Sequence, residues 1–374
     1  MKESILIKNF GPIKEIEIGD IRPFTVFIGE SGSGKSTIMK VLVLFRWIYK
    51  MLNIRFYLKY AKISHSPFKF DFKPYLSNNG ILDYLRPASE ILYQNGETII
   101  HYKTALRTSK TVPEDEISLE KMAFIGDRRN IIPDILANKV DIRDDFFLKE
   151  TYDDFLLASD PIKELSIDYL NIQYFRKQTN LGMKYFIKGD DYTIKFEDAS
   201  SGMQTVVPLS LIIERFANHY DFAKQFNDII FRYMSRSDSL KDFRAGLNIG
   251  DIKHRNIHIH IEEPELSLYP ESQRSLIDFI VNRCFIQDHN GYNMTVMMAT
   301  HSPYIVNHLN LLIMAGKKGI LENNASLLFE NVNVFEIIDG YLVDLNRVDK
   351  YIIDSRSLSE PISNIYERYN ELGQ

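Results

Sequence analysis

Three short stretches of this 374-residue chain bring together groups that can act on a phosphate ester: "GESGSGKST" (Gly29 to Thr37), "IEEPE" with Glu262 and Glu263, and "ATHSP" with His301. The first fits G-x-x-x-x-G-K-[ST] through Gly29, Gly34, Lys35 and Ser36. Such a loop wraps its backbone N–H groups around phosphate oxygens and adds the positive end of the helix that follows. Lys35 would reach the β- and γ-phosphates and the Ser36 hydroxyl would bind Mg²⁺. Glu30, Ser31, Gly32, Ser33 and Thr37 complete the predicted cradle. Glu262 and Glu263 end an apolar run, at the sheet edge where ligands of open α/β folds bind. Side chains alternate along a strand, so Glu262 is expected to serve Mg²⁺, through water, and Glu263 to be the general base toward the attacking water. His301 follows a second apolar run and would stand near the γ-phosphate as a neutral donor.

The elements that must position these groups are legible as patterns. Strands are expected at Ile5 to Lys8, Ile13 to Ile18 and Phe24 to Ile28, with a long helix after the glycine-rich loop. Residues from about 52 to 120 are rich in aromatics with weak periodicity, and "MAFIG" reads as a short buried strand. From about 131 to 182 the pattern is mostly helical. Two strand-like runs then precede "ASSGMQ", a turn entering a helix. "IHIHI", a helix from Glu271 and "MTVMMAT" follow, and a hairpin and a polar helix end the chain. Strand and helix alternate here, which predicts an α/β fold with a mostly parallel, covered sheet, and the opening strands are expected to form an N-terminal antiparallel β portion. The expected core is 1–45 with 195–374, and 46–194 is read as an inserted mixed and helical lid region. His258 and His260 share one strand face with no cysteine nearby in sequence to complete a metal site and are read as core residues.

Composition narrows the class. A net charge of −5 and a pI near 6.0 argue against a surface that is all nucleic-acid footprint, while leaving room for a local basic stripe. The doublets Arg128-Arg129 and Lys317-Lys318 read as ordinary solvated faces. One cysteine, Cys284, excludes an internal disulfide and suits a reducing cytosol. No export signal or membrane span is evident, so a cytoplasmic protein is expected.

In this order, "GESGSGKST", "ASSGMQ", "IEEPE" and "ATHSP" resemble the ABC-type ATPase heads of the SMC, RecF and OLD group. The resemblance implies ATP and Mg²⁺ as ligands, with catalytic roles for Lys35, Glu263 and His301. It implies that "SSGMQ" stands for the ABC signature, with Ser201, Gly202 and Gln204 preserved, and that Ser201 and Gly202 touch the γ-phosphate bound by a second protomer. The active unit would be a homodimer or higher oligomer closed around ATP. "FIGDRRNI" resembles a Q-loop segment and makes Arg128 a candidate, although no glutamine stands there. Glu262 replaces the more common aspartate, as in OLD-like heads. No heptads support SMC arms. The roughly 64 residues after "HSPYIVNHL" are too few for a Toprim domain, so a stand-alone head is expected. Such heads resemble ATPase subunits of prokaryotic anti-phage systems, which implies a regulatory ATPase with a separately encoded nuclease or toxin as effector. The aromatic-rich stretch is the expected docking surface. A RecF-like DNA-repair ATPase is the alternative, and a transporter subunit fits poorly.

Overall fold

The computed structural model describes residues 2–60, 72–142, 145–180, 182–234, 252–289 and 291–372. β1 (Glu3–Phe10), β2 (Ile13–Ile18) and β3 (Phe24–Ile28) open the chain. β3 is buried throughout and runs into the glycine-rich loop, after which α1 (Lys35–Tyr60) begins. α1 is apolar on nearly all sides, and it is buried on nearly all sides, as that pattern requires. Next come α2 (Phe72–Asn78), β4 (Leu85–Asn95), β5 (Thr98–Tyr102), β6 (Leu106–Thr108) and β7 (Ser118–Ile125), then α3 (Ile132–Leu136) and α4 (Phe146–Ser159).

β8 (Glu164–Ile167), β9 (Ile172–Thr179), β10 (Gly182–Lys188) and β11 (Thr193–Lys195) precede α5 (Ser201–Asn218) and α6 (Phe222–Met234). The remaining elements are β12 (His254–Glu262), α7 (Pro270–Val281), β13 (Asn293–Ala299), α8 (Pro303–Lys318), β14 (Val332–Ile338), β15 (Tyr341–Asp344), the β16 (Asn346–Arg347) and β17 (Ile352–Ile353) ribbon, and α9 (Arg356–Leu372).

The main sheet has 11 strands in the order β6-β5-β4-β1-β2-β15-β14-β3-β13-β12-β7. From β14 through β3, β13 and β12 to β7 every pairing is parallel. The loops that leave β3, β12, β13 and β7 therefore emerge at one sheet edge, which gathers the glycine-rich loop, Glu262, Glu263 and His301. The other flank is antiparallel apart from β15 against β2. The sheet is thus mixed, with a larger antiparallel part than the sequence pattern suggested. The excess arises because β4, β5 and β6, all within 46–194, join the main sheet.

Two further expectations give way. The stretch 131–182, read as mostly helical, holds α3 and α4 but then turns into the antiparallel β8 and β9, which with the two strand-like runs, β10 and β11, form a separate sheet. One face of that sheet is buried, where Tyr174, with Phe196 just past β11, packs on Phe155 of α4. Its outward polar residues dilute the apolar signal. The aromatic-rich stretch is largely core in its described part: Phe72 meets Phe45 and Tyr102, and Tyr93 meets Phe45. Those rings cover α1 and are not an exposed patch; residues 61–71 of the stretch lie outside the described residues.

A buried ion pair ties the two flanks together. Arg46 of α1, 2% exposed, donates to Glu3 of β1 through Nε (2.8 Å) and Nη2 (2.7 Å), and through Nη1 to Nε2 of His260 on β12 (2.9 Å). Tyr93 of β4 donates to the same carboxylate at 2.7 Å. His260, its Nε2 thus an acceptor, donates from Nδ1 to the Ala123 carbonyl at 3.1 Å. Burial and the neighbouring guanidinium hold its pKa far below the ordinary value. Its neighbour His258 bonds Glu120 and Thr295, so both histidines are satisfied core residues.

Burial alone would raise the Glu3 pKa, but Arg46 and Tyr93 outweigh it and bring it down to about 2. A depressed carboxylate stabilises the fold fully above its unfolded pKa, and that contribution fades as the pH falls from about 4.5 to about 2. Arg46→Met strands the buried carboxylate and should cost about 3–5 kcal/mol of unfolding free energy, measured by urea melts at neutral pH. Adding Glu3→Gln should recover part of that loss. If the double variant is no more stable than Arg46→Met, the stranded charge is not the cause.

Candidate functional site

The loop from Gly29 to Gly34 can close only because glycine occupies its bends. Gly29 (φ 140°) would place a Cβ 2.7 Å from the Ile337 carbonyl, and Gly34 (φ 113°) also lies outside the range of ordinary side chains. Lys35, the first residue of α1, is buried and folds back over the loop, donating to the carbonyls of Gly29 (2.9 Å) and Glu30 (2.8 Å). Burial lowers its pKa, against the pull of Glu263 and Glu265. The Ser33 hydroxyl is buried in the loop with no hydrogen-bond partner. An orphaned donor, a basic side chain and a helix N-terminus at one place fit a phosphate chain.

A cavity of ≈ 230 Å³ opens beside this loop, where Lys35, Ser36, Glu262, Glu263 and His301 converge with Asp127 and Tyr84. A recess of ≈ 620 Å³ continues past Gly29 to Ser33 toward Asp339 and Gly340. Gly32, Gly34 and Thr37 line the first space, and Glu30 the second. Glu262 ends β12, is 7% exposed and hydrogen-bonds with Ser36. Burial raises its pKa, with Ser36 and Lys40 acting the other way. A hydroxyl in contact with a buried carboxylate, costly to keep charged, is a donor pair that fits Mg²⁺.

Glu263 reaches the cavity differently from the strand alternation expected for it. β12 stops at Glu262, and Glu263 sits in the left-handed region at φ 45°, a conformation that costs a non-glycine residue about 1–3 kcal/mol. Its N–H donates to the Ala299 carbonyl at 2.9 Å. The turn swings its carboxylate out to 41% exposure, with Oε1 3.9 Å from Nε2 of His301. His301 is fixed through its backbone, whose N–H donates to Glu265 Oε1 at 2.6 Å.

The residue that holds this turn was missed in sequence. Arg129, expected on a solvated face, is 0% exposed. Its guanidinium donates to the carbonyls of Gly126 (3.0 Å), Glu262 (2.7 Å), Glu263 (2.6 Å) and Thr205 (3.2 Å). Burial lowers its pKa to about 10, opposed by Glu265, Asp127 and the carboxylate pair, so it stays charged near neutrality. Arg128, the expected site residue, points away and pairs with Asp145 at 2.6 Å, while Asp127 faces the cavity. The signal was its position just past a buried strand, where a long cation can fold back on the sheet edge. Tyr84 and Pro12 were missed too, because the "NFGP" turn and a separate turn near Tyr84 meet only in three dimensions.

Ser201, Gly202 and Gln204 begin α5, capped by Ser200, whose hydroxyl accepts from the Met203 N–H. Gln204 donates to the Glu197 carbonyl at 3.2 Å, and Ser201 is exposed. None of the three lines the cavity beside the glycine-rich loop.

Arg129→Met should leave nucleotide affinity near wild type, since the loop and Lys35 are untouched, and should lower the hydrolysis rate by about 10²-fold through a displaced Glu263. Measured nucleotide Kd and kcat separate the two. A Kd that rises as steeply as kcat falls would place Arg129 in binding instead.

Among the described residues no helix is long and apolar enough to cross a membrane. No curated protein matches the chain. Solved structures similar to it include an SMC head bound to the C-terminal winged-helix domain of ScpA (13% identity over 93% of this chain and 99% of that one, TM-score 0.41). Others are the SMC head domain from Thermotoga maritima (11%, 92% and 98%, TM-score 0.37) and the recombination mediator protein RecF (9%, 92% and 98%, TM-score 0.36). The AAA ATPase domain matches residues 1–71 and 86–306, most of the chain and every motif of the site, and to that family the chain belongs.

Proposed function

We propose that this chain is a regulatory ATPase that dimerises around ATP and controls a separately encoded effector, a nuclease or toxin, in prokaryotic anti-phage defence. The observation that carries the dimer is the N-terminus of α5. Ser201, exposed, and Gly202, half-buried, begin the helix apart from the cavity that would hold the protomer's own nucleotide, and a helix N-terminus favours an anion. A second copy supplies the γ-phosphate they lack. The defence role rests on the motif resemblance alone.

Within the site, Lys35 would exchange its two loop carbonyls for phosphate oxygens. Ser36 and Glu262 would hold Mg²⁺, directly or through water, and the ion when bound would neutralise charge on the phosphates. Glu263, exposed and free of a tight ion pair, would take the proton of the attacking water, while His301 donates to the γ-phosphate. The water oxygen then bonds phosphorus as the bond to the β-phosphate oxygen breaks, giving ADP and phosphate.

A RecF-like DNA-binding role gains little. Of the two basic doublets, Arg129 is buried, Arg128 is paired with Asp145, and Lys317 lies over the Tyr351 ring. Salt-dependent affinity for DNA at nanomolar to micromolar protein would favour that alternative.

Two measurements test the proposal. Lys35→Ala and Ser201→Arg should each abolish turnover, and mixing the two variants should restore part of it, because a mixed dimer keeps one intact composite site. A mixture as inactive as its parents removes the shared site. Glu263→Gln should bind ATP, accumulate as a dimer in size-exclusion chromatography and lose about 10²- to 10⁴-fold in rate. Wild-type hydrolysis by that variant would reassign the base.

A further inference from the structure

A second cavity of ≈ 320 Å³ lies away from the glycine-rich loop, bounded by α1, α2, α4 and β7, and shares no residue with the cavities described above. On α1, Val43, Trp47 and Lys50 face it at helical spacing; on α4, Phe146 and Glu150 do the same one turn apart. Trp47 meets Tyr75 of α2 edge-on, with centroids 4.6 Å apart. Phe146, 38% exposed, stands at the rim.

The polar groups are the unusual part. Lys50 and Glu150 both line the cavity, half-buried, and neither forms a hydrogen bond or ion pair with another described residue. The nearby Lys121 differs, because Asp154 holds its ammonium at 3.0 and 3.2 Å. Burial, reinforced by Lys121, draws Lys50 down to about 8, and burial pushes Glu150 up to about 6. Opposite charges that share a low-dielectric space without bonding each other leave two costs for a third molecule to relieve.

The geometry points to a binding site for a flat lactam-type nucleobase, with its ring among Trp47, Tyr75 and Phe146, its carbonyl oxygen accepting from Lys50 and its ring N–H donating to Glu150. A neutral lactam edge satisfies both charges and brings no new charge into the site, which a zwitterion would. The volume suits a nucleoside-sized ligand, and the wall combines three aromatic rings with Val43, Leu44 and Met122 and a few polar groups, as small-molecule sites do. This assignment does not depend on the dimer or on the defence role.

The chain has one tryptophan, Trp47, so its fluorescence reads the site directly. The full-length protein, with ATP saturating the glycine-rich loop, is titrated with guanosine and separately with adenosine, whose base lacks the carbonyl and the ring N–H. Guanosine should change Trp47 emission saturably and bind at least about tenfold more tightly than adenosine, and Glu150→Ala should weaken guanosine by about tenfold or more. No saturable change with guanosine up to millimolar concentration, or equal affinity for the two nucleosides, overturns the proposal. So does undiminished guanosine binding by a Glu150→Ala protein whose melting curve matches wild type. If that variant does not fold, the wild-type comparison of the two nucleosides decides the matter by itself.

Discussion

The guanidinium of Arg129, sharing its donors among four carbonyls, is the constraint on which the site depends. Two of those carbonyls belong to Glu262 and Glu263, one to Gly126 just past β7, and one to Thr205 in the second turn of α5. Three segments, the furthest of them 134 residues from Arg129 along the chain, are therefore pinned to a single planar group. A lysine in that place offers a point charge with three donors and cannot reproduce the planar fork. The left-handed turn at Glu263 is held by this bond to its carbonyl together with the Leu266 N–H donating to the same oxygen and its own N–H donating to Ala299, and the direction of its carboxylate follows from the turn.

Beneath that edge, the Glu3, Arg46 and His260 contacts serve a different end. They join the antiparallel flank to the parallel one through the middle of α1, eleven residues from the lysine that begins the helix. Such a buried pair adds little net stability over an apolar equivalent, yet it penalises any register in which Arg46 misses its carboxylate. The helix that carries the phosphate-binding loop is thereby fixed in rotation as well as in position.

Much of this was readable in advance. The glycine-rich loop, the carboxylates and His301 follow buried strands, and apolar runs of that kind are strong signals for a parallel sheet whose strand ends face a ligand. The histidines of β12 were rightly taken as core because their neighbours alternate. What could not be read depended on partners distant in sequence. Nothing local distinguishes Arg129 from Arg128, and only the bend after Gly126 sends one inward and the other to Asp145. β8 and β9 were missed because half of their sheet's surface is wet, and the aromatic stretch because a ring that covers a helix and a ring that meets a partner have the same composition. Glu263 lines the cavity, but a backbone turn and not strand alternation separates it from Glu262.

Gly202 shows how closely the start of α5 is fitted to the loop after the carboxylates. A Cβ there would lie 2.9 Å from the carbonyl of Ser267, itself in the left-handed region at φ 59°. With Arg129 bonding Thr205 one turn further along, the exposed Ser201 and the turn of Glu263 belong to one stiff body. Any surface that presses on Ser201 is therefore in mechanical contact with the carboxylate turn, and a tilt of the helix is transmitted to it as a lever transmits a force. The message needs no flexible relay, and its fidelity is set by a missing methyl group.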